Sequence, residues 1–220
     1  MKILAITDIH SSVKNVEDLV SIINDIDAII VAGDVSHFGP FETAKRILML
    51  LADAGTPVFF VPGNCDPPTL LSWEDPLQHI YNLHGKHRKV QGYFFAGVGG
   101  GIVSPFNTFI EFTEDEYSTL LSEAIRGIED TRKVILVAHN PPHNTRLDVV
   151  HSGIHVGSHS VRKFVEKTQP LLLITGHIHE SRGIDRLGRT LMVNPGPLKW
   201  GYYALIDLYN EKIDIYLNKL

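Results

Sequence analysis

Continuous apolar runs that alternate with helical patterns constrain the fold of this chain more than any other feature. KILAI (2–6), AIIVA (28–32) and PVFFV (57–61) are apolar throughout. Between them, VKNVEDLVSIINDI (13–26) and FETAKRILMLLADAG (41–55) repeat apolar residues at helical spacing. Because strands that are apolar on both faces belong to sheets covered on both sides, the first half of the chain predicts a parallel sheet between helices.

The middle of the chain continues this pattern less regularly. GYFFAGV (92–98), KVILVA (133–138) and LLLIT (171–175) predict three further strands. TEDEYSTLLSEAI (113–125) predicts a helix that begins with a capping box, and SHSVRKFVEKTQ (158–169) predicts a second helix. The segment GGGIVSPFNTFIEF is interpreted as an irregular loop.

The end of the chain alternates apolar and polar residues. TLMVN (190–194), YYALIDL (202–208) and KIDIYL (212–217) therefore predict antiparallel strands, with YNE (209–211) near the last turn. No repeat or linker interrupts the chain, and residues 1–220 are expected to form a single domain.

Composition narrows the class of protein. Apolar residues make up 44% of the 220 residues and no apolar run approaches 18 residues, so we expect no membrane span. Asp8 and His10 come too early for a signal peptide, and one cysteine excludes an internal disulfide, so a cytoplasmic location is expected. With a net charge of −5, the short basic cluster KHRK (86–89) is interpreted as a solvated turn, and no nucleic-acid partner is expected.

Polar groups follow five of the predicted strands at the point where each strand ends. The carboxyl ends of parallel strands meet at one edge of a sheet, where the sites of open α/β folds form. Residues two apart in an extended backbone point the same way, so each D-x-H or H-x-H pair could aim at one point. The side chains are Asp8, His10, Asp34, Asn64, Asp66, His139, His177 and His179.

The donor types predict a metal centre. Two aspartates, one asparagine and four histidines are oxygen and nitrogen donors that suit Mn, Fe, Co, Ni or Zn better than Ca. Seven ligands are too many for one catalytic ion, but they fit two ions that share a carboxylate. Two ions about 3.5–4 Å apart can hold a phosphate and a hydroxide for in-line displacement.

The order D-x-H, G-D, G-N-x-D, H and G-H-x-H, from Asp8 to His179, resembles the calcineurin-like metallophosphoesterase superfamily, and most closely its small single-domain prokaryotic phosphoesterases. The resemblance implies a four-layer αββα sandwich with two mixed sheets and a dinuclear site at the carboxyl ends of the strands. It also implies two divalent ions, with manganese favoured. The first metal's ligands would be Asp8, His10, Asp34 and His179; the second metal's would be Asp34, Asn64, His139 and His177.

Cys65 departs from the pattern that many members of the superfamily share. Their G-N-H-D segment carries a histidine, paired with the aspartate, that contacts the phosphate and is the usual candidate for protonating the leaving group, whereas this chain reads G-N-C-D. A neutral thiol is a weak donor, so the usual general acid is expected to be absent. Some small prokaryotic members that act on phosphodiesters resemble this chain in carrying G-N-C-D. Asp66 and Asn64 stay catalytic candidates.

Other histidines fall in loops near the predicted centre. HNPPHNTRLDVVHSGIHVGS (139–158) contains His143 and His155, which are candidates for contacting substrate or protonating the leaving group, or are surface histidines. His37 could reach the rim of the site. GVGGG (97–101) is interpreted as a loop near the site, since it lacks the nucleotide-binding glycine spacing.

These features predict a dinuclear metal-dependent phosphoesterase that hydrolyses small-molecule phosphate esters, more favourably diesters, by a metal-bridging hydroxide. A phosphomonoesterase or protein-phosphatase-like activity is the alternative, and a non-catalytic scaffold of the same fold is a second. Scaffolds of the superfamily have lost ligands, whereas the seven predicted ligands are all present here. The sequence leaves open whether the protein forms a homodimer.

Overall fold

The computed structural model describes residues 1–209 and 212–220. The helices are α1 (Val13–Ile22), α2 (Phe41–Ala52), α3 (Glu114–Ala124) and α4 (His159–Thr168). The strands are β1 (Lys2–Ile6), β2 (Ala28–Ala32), β3 (Val58–Val61), β4 (Ile80–Asn82), β5 (Lys86–Val90), β6 (Tyr93–Val98), β7 (Gly101–Ile102), β8 (Glu111–Phe112), β9 (Val134–Ala138), β10 (Leu172–Ile174), β11 (Gly183–Leu187), β12 (Thr190–Asn194), β13 (Tyr202–Tyr209) and β14 (Lys212–Lys219).

Two six-stranded sheets form the centre of the molecule, and both are mixed. The first has the order β14-β13-β1-β2-β3-β4, and the second has the order β11-β12-β10-β9-β6-β5. In the first sheet β1 to β4 are parallel, while β13 runs antiparallel to both β1 and β14. In the second sheet the four inner strands are parallel and the edge strands β5 and β11 are antiparallel.

The apolar runs are continuous because both faces of the inner strands are buried. In β1, Ile3 and Ala5 point into a core that the two sheets share. Leu4 and Ile6 point the other way, into a core between the first sheet and helices α1 and α2. Helices α3 and α4 cover the outer face of the second sheet in the same manner. The expected four-layer αββα sandwich is therefore confirmed.

Several predicted details of local structure are confirmed or corrected. Thr113 caps α3 in a capping box with Glu116, as predicted. Helix α1 ends at Ile22, four residues before the predicted end, because Ile23 is extended. Strand β12 pairs parallel to β10 as well as antiparallel to β11, so the antiparallel prediction holds on one side only. Asn210 and Glu211, in the predicted turn YNE, lie outside the described residues.

The basic cluster KHRK was wrongly interpreted as a turn, since it lies in the edge strand β5. Lys86 Nζ lies 3.6 Å, and Arg88 Nη2 3.2 Å, from the carboxylate of Glu74. Charged side chains are a usual protection for an exposed sheet edge. The segment interpreted as a loop contains β7 and β8, which form a small two-stranded sheet. Within residues 1–209 and 212–220, no helix has the length and hydropathy that crossing a bilayer requires.

Candidate metal centre

The turns after β1, β2 and β10 place four of the predicted ligands in a left-handed backbone conformation. Asp8, His10, Asp34 and His177 have φ angles of 51°, 46°, 51° and 68°. Such conformations cost free energy in non-glycine residues and persist where surrounding contacts hold them. The Asp8 N–H donates to Gly33 O at 3.0 Å, and the His10 N–H donates to Asp34 O at 2.9 Å. The turns after β1 and β2 are thereby locked together.

Glycines next to these turns leave room for the ligand side chains. A Cβ atom added at Gly33 would overlap the ring of His139, and one added at Gly63 would overlap the carboxylate of Asp34. Gly101, in the predicted GVGGG loop, packs directly against Asn64. The glycine positions therefore follow from how closely the backbone approaches the candidate ligands.

The first group of ligands consists of Asp8, His10, His179 and one oxygen of Asp34. His10 Nε2 lies 3.1 Å from His179 Nε2 and 3.6 Å from Asp34 Oδ2. His179 Nε2 lies 3.3 Å from Asp8 Oδ1. These atoms converge from three separate turns on one point.

The second group consists of His139, Asn64 and the other oxygen of Asp34, with His177 beside them. His139 Nδ1 donates to Ala32 O at 2.7 Å, so in the neutral form of the ring the lone pair of Nε2 faces the site. That atom lies 3.0 Å from Asn64 Oδ1 and 3.6 Å from Asp34 Oδ1. The ring of His177 meets that of His139 edge to face at 5.0 Å between centroids.

The hydrogen bonding of both groups is consistent with bound cations. Asp8 Oδ2 accepts from Thr7 Oγ1 and from the backbone N–H of His177, but Asp8 Oδ1 is buried and accepts no hydrogen bond. When His139 is neutral, the lone pair of its Nε2 also faces an acceptor, Asn64 Oδ1 at 3.0 Å. Buried acceptors without donors are costly, and a divalent cation would satisfy them. Asp34 directs one oxygen to each group, which suits a shared ligand.

Burial favours the neutral form of two imidazoles of the site, His10 and His177, whereas the neighbouring carboxylates of Asp34 and Asp8 outweigh burial at His139 and raise its pKa. Burial lowers the pKa of His10 to about 3, against the opposing effect of Asp8 and with the help of Lys199. Burial and the neighbouring His139 lower the pKa of His177 to about 3 as well. Neutral imidazole is the form that binds metals, so the rings of His10 and His177 are ready to act as ligands.

The two carboxylates differ in acidity. Burial raises the pKa of Asp34 to about 7. His139 opposes this rise, and the nearby charge of Asp8 adds to it. Burial also disfavours the charge on Asp8, but the surrounding histidines, His179 first, outweigh burial and hold the pKa of Asp8 well below its usual range. A cation bound beside Asp34 would favour its charged form.

Asp66 has a different environment from the one its predicted catalytic role requires. Its carboxylate is fully buried and accepts from the backbone N–H groups of Val35, Ser36 and Gly63 and from the Ser36 hydroxyl, at 2.6–3.0 Å. Both oxygens are thus engaged with the turns that carry Asp34 and Asn64. This environment favours a structural role over the predicted catalytic one.

Cys65 is buried, and both its backbone and its thiol contact candidate ligands, with Asn64 Nδ2 donating to Sγ at 3.7 Å. The Cys65 N–H donates to Asp34 Oδ1 at 2.8 Å. Burial, with the charge of Asp34 nearby, raises the pKa of the thiol far above its usual range, so the thiol stays neutral. His37 Nδ1 lies 3.1 Å from His10 Nδ1, and a nitrogen of each ring lies within 4.8 Å of Cys65 Sγ. His37 therefore contacts a candidate ligand directly.

The structure brings His143 and His155 together around Asp148, which the sequence analysis missed. His155 Nδ1 lies 2.7 Å from Asp148 Oδ1, and His143 Nδ1 lies 3.7 Å from Asp148 Oδ2. Asp148 is buried, and burial by itself would raise its pKa. Hydrogen bonds from His155 and from backbone N–H groups outweigh burial, so the pKa of Asp148 is lowered. Among the described residues, neither histidine belongs to the two converging ligand groups. An aspartate in a loop carries no sequence signal of such a partner.

The chain belongs to the calcineurin-like phosphoesterase family, whose model matches residues 1–181. Membership implies a hydrolase of phosphoester bonds that uses divalent metal ions. An uncharacterised protein of Methanocaldococcus jannaschii is 37% identical over 212 residues, which cover 92% of this chain and 91% of that protein.

Two solved structures show the same fold. A protein of Thermus thermophilus, TT1561, has a TM-score of 0.75 at 23% identity, with 98% of this chain and 97% of that one covered. A phosphopantetheinyl hydrolase of Mycobacterium tuberculosis has a TM-score of 0.59 at 14% identity, with 90% and 91% covered. At these identities the likeness concerns the fold alone.

Proposed function

We propose that this protein hydrolyses small-molecule phosphodiesters at a centre that holds two divalent cations. The observation that carries the proposal is the pair of converging ligand groups with Asp34 between them. In this assignment Asp34 is shared by the two ions. Asp8, His10 and His179 complete the first set of ligands; Asn64, His139 and His177 complete the second. Manganese is the favoured metal.

The chain's own residues have distinct tasks in this proposal. Bound cations would supply positive charge to the phosphoryl oxygens and lower the pKa of an attacking water. The Ala32 carbonyl orients His139, and the Cys65 N–H orients the shared carboxylate of Asp34. Groups fixed before the reaction stabilise developing charge without reorganising, which is a large part of such catalysis.

The neutral thiol of Cys65 supports a preference for diesters with good leaving groups. A thiol whose pKa is far above its usual range gives up a proton poorly, so it cannot replace an imidazole acid. Leaving groups that depart as stable anions need no proton, whereas alkoxides do. His155 is the preferred candidate for an alternative donor, since Asp148 engages its Nδ1 and leaves Nε2 directed elsewhere. His143 is the second candidate.

The test combines metal analysis with activity. Metal-stripped protein receives Mn, Fe, Co, Ni or Zn singly and is assayed on matched phosphate monoesters and diesters. We expect diester hydrolysis to return with metal, most with Mn. A monoester preference would favour the phosphomonoesterase alternative, and bound metal with no turnover of any ester would favour the scaffold.

The ligand assignment has its own test. We expect Asp34→Ala to lower the content of both ions, Asp8→Ala mainly that of one ion, and His139→Ala mainly that of the other. Elemental analysis of the variants, with circular dichroism as a check on folding, measures this. A folded Asp34→Ala variant that keeps two ions per chain would show that Asp34 is not shared.

A further inference from the structure

An unbroken line of six aromatic rings crosses the candidate metal centre. Each ring meets the next edge to face, with centroids 4.9–5.5 Å apart. Histidines occupy the middle of the line and apolar rings occupy both ends. The order is Trp200, His179, His10, His37, Phe38 and Phe109. The two candidate ligands His179 and His10 therefore lie between apolar rings.

The apolar rings at both ends of the line are open to solvent. Trp200 is 51% exposed at one end, while Phe38 is 44% and Phe109 49% exposed at the other. Single exposed apolar side chains are ordinary, but a group of large ones beside a polar site marks a surface that binds something.

The backbone holds these rings at fixed positions relative to the ligands. The Phe38 N–H donates to Cys65 O at 3.0 Å, and the Ile110 N–H, next to Phe109, donates to Asn64 O at 3.2 Å. On the other side, the Lys199 N–H, next to Trp200, donates to Asp8 O at 3.2 Å. Each apolar end is thus tied to the turn of a candidate ligand. Rings that are already in place lose little freedom when a ligand binds.

The Trp200 end also carries a positive charge. Lys199 Nζ lies 5.3 Å from the centroid of the Trp200 ring. A cation over an aromatic face and beside the metal ligands would draw an anionic phosphoester to this end of the line. The same end therefore offers an apolar ring and a phosphate-attracting charge.

We propose that the rings at the two ends of this line bind the two organic groups of a phosphodiester, and that the substrate class is a diester with planar aromatic groups such as aryl or nucleobase rings. Trp200 holds one group, and Phe38 with Phe109 holds the other. The inference rests on the proposed function for the position of the phosphate between the two ends, and it adds the residues that select the substrate.

A binding experiment tests the inference without turnover. Phenylphosphonate and methylphosphonate carry the same charged group, cannot be hydrolysed at phosphorus–carbon, and differ in the ring. By calorimetry on the manganese-loaded protein, we expect phenylphosphonate to bind at least about fivefold more tightly, the lower end of what one stacked ring contributes. In a Trp73→Phe background, Trp200 is the one tryptophan left, and phenylphosphonate should change its fluorescence.

Variants locate the effect. Trp200→Ala should remove most of the preference for phenylphosphonate, and Trp200→Phe should restore much of it. Tyr216→Ala is the matched control, because Tyr216 is 52% exposed on the edge strand β14 and takes no part in the line of rings. Equal affinities of the two phosphonates, binding of neither, or an equal loss in the control would overturn the inference.

A kinetic comparison separates the two ends and keeps the proposed function distinct. Bis(4-nitrophenyl) phosphate and methyl 4-nitrophenyl phosphate share a leaving group and differ in the second group. We expect the second ring to lower KM about fivefold or more, and Phe109→Ala to raise KM for the bis-aryl ester with little change in kcat. Hydrolysis of both esters with equal KM values would overturn the inference alone. Phenyl-selective binding without hydrolysis of either ester would overturn the proposed function and leave the binding surface standing.

Discussion

Replacing Asp66 by asparagine distinguishes a structural role from a catalytic one. Asp66 Oδ2 accepts from the N–H groups of Val35 and Gly63, and Oδ1 accepts from the N–H and hydroxyl of Ser36. An asparagine amide has one acceptor and one donor end. Whichever way it turns, its NH₂ group faces at least one backbone N–H, which loses its acceptor. The Ser36 hydroxyl can rotate and adapt, but a backbone donor cannot.

The expected loss of stability follows from these contacts. A hydrogen bond to a charged acceptor contributes about 1.5–3 kcal/mol, and a buried donor without a partner costs about 1–3 kcal/mol. Against this, burial raises the pKa of Asp66 although the N–H groups of Gly63, Ser36 and Val35 lower it. The cost of burying the charge therefore exceeds what these hydrogen bonds gain for the charged form, and the neutral amide avoids that cost. What the amide loses is the acceptor of one buried backbone N–H, so we expect Asp66→Asn to lower the free energy of unfolding by about 1–3 kcal/mol, out of a typical total of about 5–15 kcal/mol.

Urea unfolding followed by circular dichroism, with a chelator present so that metals do not contribute, measures the change. Asp18→Asn is the matched control, since Asp18 pairs with Lys14 at 2.9 Å on the exposed face of α1. That variant should stay within about 0.5 kcal/mol of the wild type. If Asp66→Asn also stays within that margin while kcat falls sharply, Asp66 acts in the reaction and the structural assignment is refuted.

Two further predictions concern the leaving group and the dependence of stability on pH. Cys65→Ala should keep activity within roughly tenfold of the wild type. Cys65→His, if the buried position accepts the ring, should accelerate hydrolysis of esters with poor leaving groups more than of esters with good ones, because general acid catalysis is worth about 10²–10⁴-fold. A leaving-group series with metal content checked measures both, and an inactive Cys65→Ala variant with both ions bound would give the thiol a catalytic role. Glu114 accepts hydrogen bonds at 2.8 Å from Ser158, His159 and Ser160 at the start of α4, and although burial raises its pKa, these donors together lower it. Its stabilising effect is therefore present above an unfolded pKa of about 4.3 and lost as pH falls through the lower folded pKa. Glu114→Gln should destabilise the protein by about 1–2 kcal/mol at pH 7 and by much less near pH 3. The value at pH 7 is discounted because the carboxylate is partly exposed to solvent. Thermal unfolding at both pH values measures the difference, and an equal loss of stability at the two would contradict the assignment.

The parallel strands and the polar turns that follow them could be predicted because each depends on a local pattern. AIIVA is apolar throughout since both its faces are buried, and the polar turn with Asp34 follows directly. By contrast, KHRK in β5 lies at an edge, and its charges conceal the strand. Strand β4 has three residues, Ile80–Asn82, which is too short for any periodicity to register.

The role of a site residue is harder to predict from the sequence when its partners lie far away along the chain. The donors to Asp66 include Val35 and Ser36, about thirty positions earlier in the chain. Nothing near Asp66 in the sequence indicates them, whereas G-N-x-D does indicate a ligand at Asn64. Trp200 shows the same limit, because its contact with His179 depends on how the turn after β12 returns to the site.

The division of the candidate ligands between the two sheets couples the halves of the molecule. Asp8, His10 and Asp34 follow strands of the first sheet, while His139 and His179 follow strands of the second. His10 and His179 meet across 169 positions of chain. Neither half alone contains a complete ligand set, so an ion held by both has affinity only for the assembled sandwich. Metal concentration then acts on the equilibrium between folded and unfolded chains as a whole, since a ligand that binds only the native state stabilises it by mass action. With ions bound, the candidate centre would therefore also be a cross-link between the two sheets.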